Sequence, residues 1–416
     1  MRILKLTRRT EKWLLARRAQ RDDEAQSVAA EIVADVRRRG DSALFAWSKK
    51  LDDLDLSRGG AWISGKEIRS AEAQVSPDFL KAIRRAAKNV RRIAEQQLPR
   101  RWTIETETGV RISQRVSPIE SIGCYIPGGR FSLVSTLVMT AVPARVAEVP
   151  HIIAVCPKPN PELLATASLL GIEKIARVGG AQAIAALAYG TNSVPRVQKI
   201  FGPGNKYVTA SKQLVSGDCA IDLPAGPTEA IVLAAEGNAR WIAADLLAQA
   251  EHAKDAASFF VTTSRSLAQE VQREIKWQLA ELPPGMAGVS TEAAGAILVA
   301  DSLEQACEFT NRFAPEHLSL PESGERLLLK IRSAGTVFLG PWGAQALGDY
   351  ATGSNHVLPT GGWARKRGGL SAADFVKCIS VQTVRRDGFY RLADTVETLA
   401  ESEGLMAHRN AVRVRR

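Results

Sequence analysis

Histidine is rare in this sequence, so the positions of its five histidines narrow the search for reactive side chains. His252 follows Gln249 by three residues in a stretch patterned as a helix, so both side chains project from the same helix face. An imidazole and a side-chain oxygen are ligands that zinc accepts. The spacing allows half of a zinc site, although an ordinary polar helix surface has the same pattern.

A second candidate is Pro315-Glu316-His317, where a proline ends one predicted helix and a strand begins. A carboxylate beside an imidazole can perform general acid–base chemistry, and loops at strand boundaries commonly hold such groups. The alternative for this segment is a surface turn. His151, at the start of another strand, is predicted to be structural.

Three further residues could add ligands or contacts to such a site. Asp349 offers a carboxylate, and Gly348 beside it would allow a ligand to approach the backbone. Glu403 and His408 lie near the C-terminus, where Gly404 can interrupt a helix that would otherwise direct them apart. Each of these patterns also fits a solvent-exposed turn or helix.

Three glycine-rich stretches lie near predicted strand–helix junctions, where backbone amides and the helix dipole favour anions such as phosphate. They cover residues 125–129, 178–182 and 202–205. None continues into a full G-x-G-x-x-G pattern, because Tyr207 occupies the place of the last glycine after Gly202 and Gly204. The stretches therefore indicate phosphate binding without naming a cofactor.

The elements that must position these residues follow from the hydrophobic pattern. Residues 11–100 have apolar residues at helical spacing and are predicted to be mostly helical. From about residue 104, and again after residue 228, short β-rich runs alternate with helices, which predicts two parallel-sheet blocks. We expect ligands in the cleft between them, beyond the carboxyl ends of strands. The segment from about residue 374 is predicted to be an appended helical tail that packs on something else, such as a partner subunit.

The composition bounds the class of protein. The chain has 416 residues, 45% of them hydrophobic and 24% charged, which is typical of a folded protein with at least two domains. Its apolar runs are too short for a membrane span, and its N-terminal residues do not resemble a secretory signal. The five cysteines are scattered and form no Cys-x-x-Cys pair, which argues against a disulfide framework and a thiolate zinc cage. We expect a soluble, cytoplasmic protein.

The net charge of +11 suggests nucleic-acid binding as a non-enzymatic alternative. Many of the basic residues lie in the first hundred positions, where they alternate with acidic and apolar residues at helical spacing. That pattern favours a solvated helix face. No zinc-finger, basic-zipper or aromatic RNA-binding signature accompanies the charge, so nucleic-acid binding is the less favoured alternative.

Taken together, the sequence resembles the histidinol dehydrogenase family from about residue 20 to the C-terminus. The motifs that carry the resemblance, in the family's order, are GCYIPGG, VGGAQAIAALAYGT, KIFGPGNKYV, DLPAGPTE, AQAEH, APEHL, GDYATGSNHVLPT, GGLSAADF and ETLAESEGLMAHRNAV. The resemblance implies a zinc- and NAD-dependent dehydrogenase that oxidises L-histidinol through L-histidinal to L-histidine, the last step of histidine biosynthesis. The implied fold is α/β, with two Rossmann-like parallel-sheet domains, a helical N-terminal region and a helical C-terminal tail.

The resemblance also implies roles for individual residues. Glu316 and His317 match the catalytic pair: His317 would take the alcohol proton, and Glu316 would activate water to hydrate the aldehyde. Zinc ligands match Gln249, His252, Asp349 and His408. Substrate-binding positions match Thr228, Gln249, His252, His317, Asp349, Glu403 and His408, and cofactor-binding positions match Tyr125, Gln182 and Asn205. Thr228 stands where the family usually has serine.

The resemblance further implies a homodimer in which the tail of one subunit completes the active site of the other. The predicted divisions are an N-terminal arm (1–20), a first α/β domain with the zinc and acid–base residues (21–124 plus 232–372), an inserted NAD-binding α/β domain (125–231) and a helical tail (373–416). The alternative enzyme is a related dehydrogenase of another polar alcohol, such as a sulfonated diol. Glu403 disfavours that alternative because its carboxylate would repel a sulfonate.

Overall fold

The computed structural model describes residues 1–18, 22–128, 133–224, 226–283, 285–321 and 324–416. Its strands are β1 (Arg2–Lys5), β2 (Trp102–Glu107), β3 (Val110–Pro118), β4 (Ser121–Tyr125), β5 (His151–Val155), β6 (Ile175–Ala176), β7 (Lys199–Phe201), β8 (Ala220–Ile221), β9 (Glu229–Leu233), β10 (Ala257–Thr262), β11 (Ala296–Val299), β12 (His317–Leu320), β13 (Thr336–Leu339) and β14 (Val376–Val384).

The helices cover most of the first hundred residues and alternate with strands thereafter. They are α1 (Arg8–Arg17), α2 (Asp23–Arg39), α3 (Asp41–Asp52), α4 (Leu56–Gly59), α5 (Gly65–Ser70), α6 (Pro77–Gln97), α7 (Val134–Val146), α8 (Pro161–Leu169), α9 (Gly180–Tyr189), α10 (Lys206–Val215), α11 (Ala239–Ala250), α12 (Arg265–Glu281), α13 (Met286–Ala293), α14 (Leu303–Phe313), α15 (Gly324–Leu328), α16 (Gln345–Tyr350), α17 (Arg386–Ser402) and α18 (Met406–Arg413). In the part of the chain that the structure describes, no helix is long and apolar enough to cross a membrane.

The first parallel sheet has five strands in the order β6-β5-β4-β7-β8. Successive residues of β5 face opposite sides, as the strand period of two requires. Ile152 and Ala154 pack with α7 and α8, whereas Ile153 and Val155 pack with α2, α3 and α9. Helices cover both faces, which explains why β4 and β5 are almost continuously apolar.

The second parallel sheet has six strands in the order β1-β11-β10-β9-β12-β13. Helices α11 and α12 cover one face, and α1 and α14 cover the other. The two parallel sheets that the alternating pattern predicts are thereby confirmed.

The strands and helices divide between the two sheets differently from the predicted domain boundaries. The arm 1–20 contributes β1, which pairs with β11 at the edge of the six-stranded sheet. The segment 21–124 was assigned to the domain of that sheet, but α2 and α3 pack on the five-stranded sheet and β4 belongs to it. The reason is that α2 has an apolar stripe, including Ile32 and Val36, which is buried against that sheet.

A third, antiparallel sheet of order β14-β3-β2 was not predicted. Its register runs from Val376 opposite Pro118 to Val384 opposite Val110. The tail 373–416 therefore contains a nine-residue strand, and its α-helices begin at Arg386. The β-branched residues of VKCISVQTV account for the strand. Every residue of β2, and all of β14 after Val376, is exposed.

Candidate active site

The predicted acid–base pair lies at the amino end of β12, between two neighbouring strands. Helix α14 ends at Phe313, and Ala314 turns the chain with a left-handed φ of 51° before Pro315. His317 begins β12 and lies opposite Ala230 of β9, two residues after Thr228. Glu316 and His317 thus lie at the amino end of a strand, whereas we expect ligands beyond the carboxyl ends. The helix-ending turn, not a strand end, presents Glu316.

Glu316 is 7% exposed and accepts two hydrogen bonds. The hydroxyl of Thr228 donates to Oε2 at 2.6 Å, and the backbone N–H of Glu229 donates to the same oxygen at 3.1 Å. Both donors come from the segment that leads into β9. Thr228, matched by the resemblance to a substrate position, therefore also holds the carboxylate of Glu316.

His317 lies between two carboxylates and is 3% exposed. Its Nδ1 is 3.6 Å from Oε2 of Glu316, and its Nε2 is 3.4 Å from Oδ1 of Asp349. Burial lowers the pKa of His317, but the two carboxylates outweigh burial and raise it to about 9. The ring stacks against Phe338 with a centroid separation of 6.0 Å and an interplanar angle of 13°. The imidazole is thus held in one plane and can carry a proton.

Gln249 and Asp349 meet beside this imidazole. Gln249 lies in the last turn of α11, which returns the chain from β9 to the amino end of β10, and Asp349 lies in α16. The Gln249 amide donates to Oδ2 of Asp349 at 3.3 Å, while its Oε1 is buried without a hydrogen-bond partner. Burial raises the pKa of Asp349, but the imidazoles of His317, His356 and His252 bring it below its usual value. An unpaired buried oxygen beside an ionised carboxylate is a feature that a cation would satisfy.

Two further histidines surround the pair. His252 follows the end of α11, is exposed, and has its Nδ1 3.3 Å from the carbonyl oxygen of Ala248. His356 has its Nδ1 2.9 Å from the backbone oxygen of Asp349, and burial lowers its pKa. The family resemblance assigns no role to His356. Its position seven residues after Asp349, in a glycine-containing turn, is the sequence feature that could have indicated that it lies near this site.

The tail residues are exposed, unlike the buried residues of this cluster. Glu403 follows the last residue of α17, His408 lies in α18, and both are exposed. Among the residues that the structure describes, no three or more His, Cys, Asp or Glu side chains are arranged to hold a metal ion. A single chain thus brings together six of the predicted residues, namely Thr228, Gln249, His252, Glu316, His317 and Asp349.

The residues matched to NAD binding follow neighbouring strands of the five-stranded sheet. Tyr125 ends β4, and its hydroxyl accepts a hydrogen bond from the N–H of Gly180 at 3.2 Å. Asn205 follows β7 and caps α10 by accepting from two backbone N–H groups. From β4 the chain adds β5 and β6 on one side of the sheet and then β7 and β8 on the other side. Parallel sheets of this kind have a ligand-binding crevice at the point where this change of direction occurs. Tyr125 lies at the carboxyl end of β4, and Asn205 follows the carboxyl end of β7.

Two details of this crevice suit a bound cofactor. Gly202 has a φ of 115°, and a Cβ there would lie 2.1 Å from the backbone oxygen of Tyr125, so only glycine fits. Gln182 is buried, donates to Oδ2 of Asp52 at 2.8 Å, and has an Oε1 without a partner. Gly129, in the first glycine-rich stretch, lies outside the described residues.

Residues 15–416 match the family model described as histidinol dehydrogenase. The chain belongs to the histidinol dehydrogenase family. It is 44% identical over 410 residues to the histidinol dehydrogenase of Geobacter sulfurreducens, covering 97% of this chain and 96% of that protein. It is 42% identical over 411 residues to the histidinol dehydrogenase of Methanosarcina barkeri, covering 97% and 94%.

The fold comparison agrees with this assignment. The crystal structure of histidinol dehydrogenase from Elizabethkingia anophelis superposes with a TM-score of 0.94 at 39% identity, covering 100% of this chain and 98% of that chain. The family resemblance drawn from the nine motifs is therefore confirmed. Membership of the histidinol dehydrogenase family makes the protein an oxidoreductase.

Proposed function

We propose that the protein oxidises L-histidinol through L-histidinal to L-histidine in two NAD-dependent steps, the last reactions of histidine biosynthesis. The observation that carries the proposal is the buried cluster in which His317 lies between the carboxylates of Glu316 and Asp349, in a chain of this family. The five free cysteines suit a reducing compartment, so we propose the cytoplasm as its location.

We propose zinc as the metal, with Gln249, His252, Asp349 and His408 of the partner subunit as ligands. The buried, unpaired Oε1 of Gln249 and the ionised carboxylate of Asp349 support a cation at this point. Oxygen and nitrogen donors fit zinc in a catalytic role. Bound zinc would hold the imidazole and amino nitrogens of the substrate and thereby orient its alcohol.

His317 and Glu316 are proposed to accept different protons in the two oxidations. His317, buried and fixed against Phe338, would take the alcohol proton in its neutral form, which prevails above its pKa of about 9. NAD held near Tyr125, Gln182 and Asn205 would supply the hydride acceptor for both oxidations. Glu316 would then take a proton from the water that adds to the aldehyde. Adjacent groups can take different tasks because their environments differ. Glu316 accepts hydrogen bonds from Thr228 and Glu229, whereas His317 faces carboxylates.

We propose that the protein works as a homodimer with shared sites. The antiparallel sheet leaves large apolar side chains exposed, among them Trp102 (45%), Ile104 (52%) and Ile379 (41%). Such side chains on an exposed sheet favour coverage by another surface. The tail beyond this sheet carries Glu403 and His408, which are exposed in a single chain. A second copy would cover the sheet and receive these residues at its own Asp349.

The test is NADH formation by the purified protein with L-histidinol, compared with L-histidinal, with an amino alcohol lacking the imidazole, and with a sulfonated diol. We expect activity with the first two substrates, loss of that activity with a chelator, and recovery with zinc but not magnesium. Faster oxidation of the sulfonated diol than of L-histidinol would overturn the substrate assignment. Full activity in metal-free protein would overturn the metal assignment.

A further inference from the structure

A buried guanidinium lies behind the turn that presents Glu316. Arg18 directly follows α1, and its side chain is 9% exposed. Its Nε donates to Oε1 of Glu229 at 2.6 Å, and its Nη2 donates to the backbone oxygen of Ala314 at 3.1 Å. Nη1 also donates to the backbone oxygen of Phe313, and the guanidinium carbon lies 4.2 Å from the centre of the Phe313 ring. One side chain therefore joins the N-terminal segment to the end of α14.

The turn that Arg18 contacts needs this support. The last carbonyls of a helix lack partners within the helix, and Phe313 and Ala314 supply two such carbonyls. Ala314 also has a left-handed φ of 51°, a conformation that costs free energy for any residue with a Cβ. Arg18 binds both carbonyls, and Glu316 is only two residues further along the chain. A shift in this turn would therefore move Glu316 directly.

Glu229 connects the guanidinium to Glu316 by a second route. Its carboxylate accepts hydrogen bonds from Arg18 and from the N–H of Gly361 at 3.2 Å, while its own N–H donates to Oε2 of Glu316 at 3.1 Å. Gly362 makes room for the guanidinium, because a Cβ there would lie 2.9 Å from Nη1 of Arg18. Burial raises the pKa of Glu229 to about 6, and Arg18 opposes that rise. Without Arg18, a buried carboxylate next to Glu316 would lose its counter-charge.

We propose that Arg18 and Glu229 are positioning residues for the reaction: they hold the turn at Phe313 and Ala314 so that Glu316 stays against Thr228 and His317. The inference rests on the proposed function of Glu316 as the group that activates water. It predicts an effect on the chemical step rather than on binding, because neither residue touches the Gln249–Asp349 pair that is proposed to hold the metal.

The test compares Arg18→Met with Arg312→Met. Arg312 forms an ion pair with Glu11 and so links the same two helices, α1 and α14, but its side chain is half exposed and does not contact the turn carbonyls. For Arg18→Met we expect kcat with L-histidinol to fall at least about tenfold, with KM and zinc affinity within about twofold of the wild type. For Arg312→Met we expect kcat within about twofold. Added guanidinium should restore part of the activity of Arg18→Met and none in Arg312→Met.

A second variant covers the case in which Arg18→Met does not fold. Glu229→Gln keeps the shape and the backbone N–H, and we expect it to lower kcat and to shift the acidic limb of the pH profile of kcat. Unchanged kcat and pH profile in a folded, zinc-loaded Glu229→Gln or Arg18→Met protein would overturn the inference. Failure of the wild type to oxidise L-histidinol would instead overturn the proposed function, so the two failures are distinguishable.

Discussion

Replacing Thr228 with valine removes one hydroxyl from the site and keeps the shape of the side chain. That hydroxyl donates to Oε2 of Glu316 at 2.6 Å, in a place where Glu316 is only 7% exposed. Without it, the carboxylate keeps the Glu229 N–H at 3.1 Å and the imidazole of His317 at 3.6 Å. Water has little access to replace the lost donor, so one hydrogen bond instead of two holds the Glu316 carboxylate.

The expected size of the effect follows from the kind of bond that is lost. A hydrogen bond to a charged group contributes about 1.5–3 kcal/mol. Since each 1.36 kcal/mol corresponds to about tenfold in rate, Thr228→Val should lower kcat about ten- to a hundredfold if Glu316 must be held in place during the reaction. Thr228→Ser keeps the hydroxyl and should stay within about threefold of the wild-type kcat.

The assay is steady-state NADH formation with L-histidinol and, separately, with L-histidinal, because Glu316 is assigned to the second oxidation. The loss of kcat should be at least as large with the aldehyde as with the alcohol. A Thr228→Val protein with normal kcat and a raised KM would refute this account. That result would assign the hydroxyl to substrate binding alone, the role that the family resemblance implies.

Three further predictions concern stability, the dimer and the cofactor. Burial raises the pKa of Asp245 in α11 from 3.8 to about 6, so ionisation of this carboxyl destabilises the fold as the pH rises through that range. Asp245→Asn should therefore increase the free energy of unfolding by up to about 3 kcal/mol above pH 6. Below about pH 4 the substitution should leave this free energy unchanged, as measured by urea unfolding. A gain that is the same at every pH would contradict this cause. The variants Glu316→Gln and His408→Ala, each expected to be inactive, should regain about a quarter of wild-type activity when equal amounts are refolded together. Half of the resulting dimers contain one subunit of each kind, and one of the two shared sites in such a dimer is intact. No recovery would argue that each subunit completes its own site. Gly202→Ala should weaken NAD binding, measured by titration, at least about tenfold, because the new methyl group would meet the Tyr125 carbonyl. The control Gly217→Ala adds a methyl group that faces open space, so it should bind NAD with normal affinity. Equal affinities in the two variants would remove Gly202 from the cofactor site.

Much of the fold could be predicted because parallel strands buried on both faces have a distinctive local pattern. The run HIIAV of β5 and the run EAIVL of β9 are buried almost throughout and alternate with helices. Long-range pairing leaves no such local signal. Nothing near Arg2 indicates that β1 joins β11, nearly three hundred residues later, and nothing in VKCISVQTV indicates that β3 is its partner. For this reason the strand that precedes the two helices of the tail could not be predicted.

For the candidate site too, local sequence features could be predicted and long-range contacts could not. Glu316, His317 and Asp349 could be selected because their residue types and surroundings suggest chemistry, and the structure places them together. The contacts that hold them could not be predicted, because they join distant segments. The Thr228 hydroxyl reaches Glu316 across 88 residues, and Arg18 reaches Glu229 across 211.

The central claim is that this one site carries out both oxidations of L-histidinol. The measurement that tests it most directly is the amount of NADH formed when a known, limiting amount of L-histidinol is consumed completely in excess NAD, with the product identified by mass. We predict two NADH for each L-histidinol and L-histidine as the product. One NADH with accumulated aldehyde, or no NADH at all, would contradict the claim.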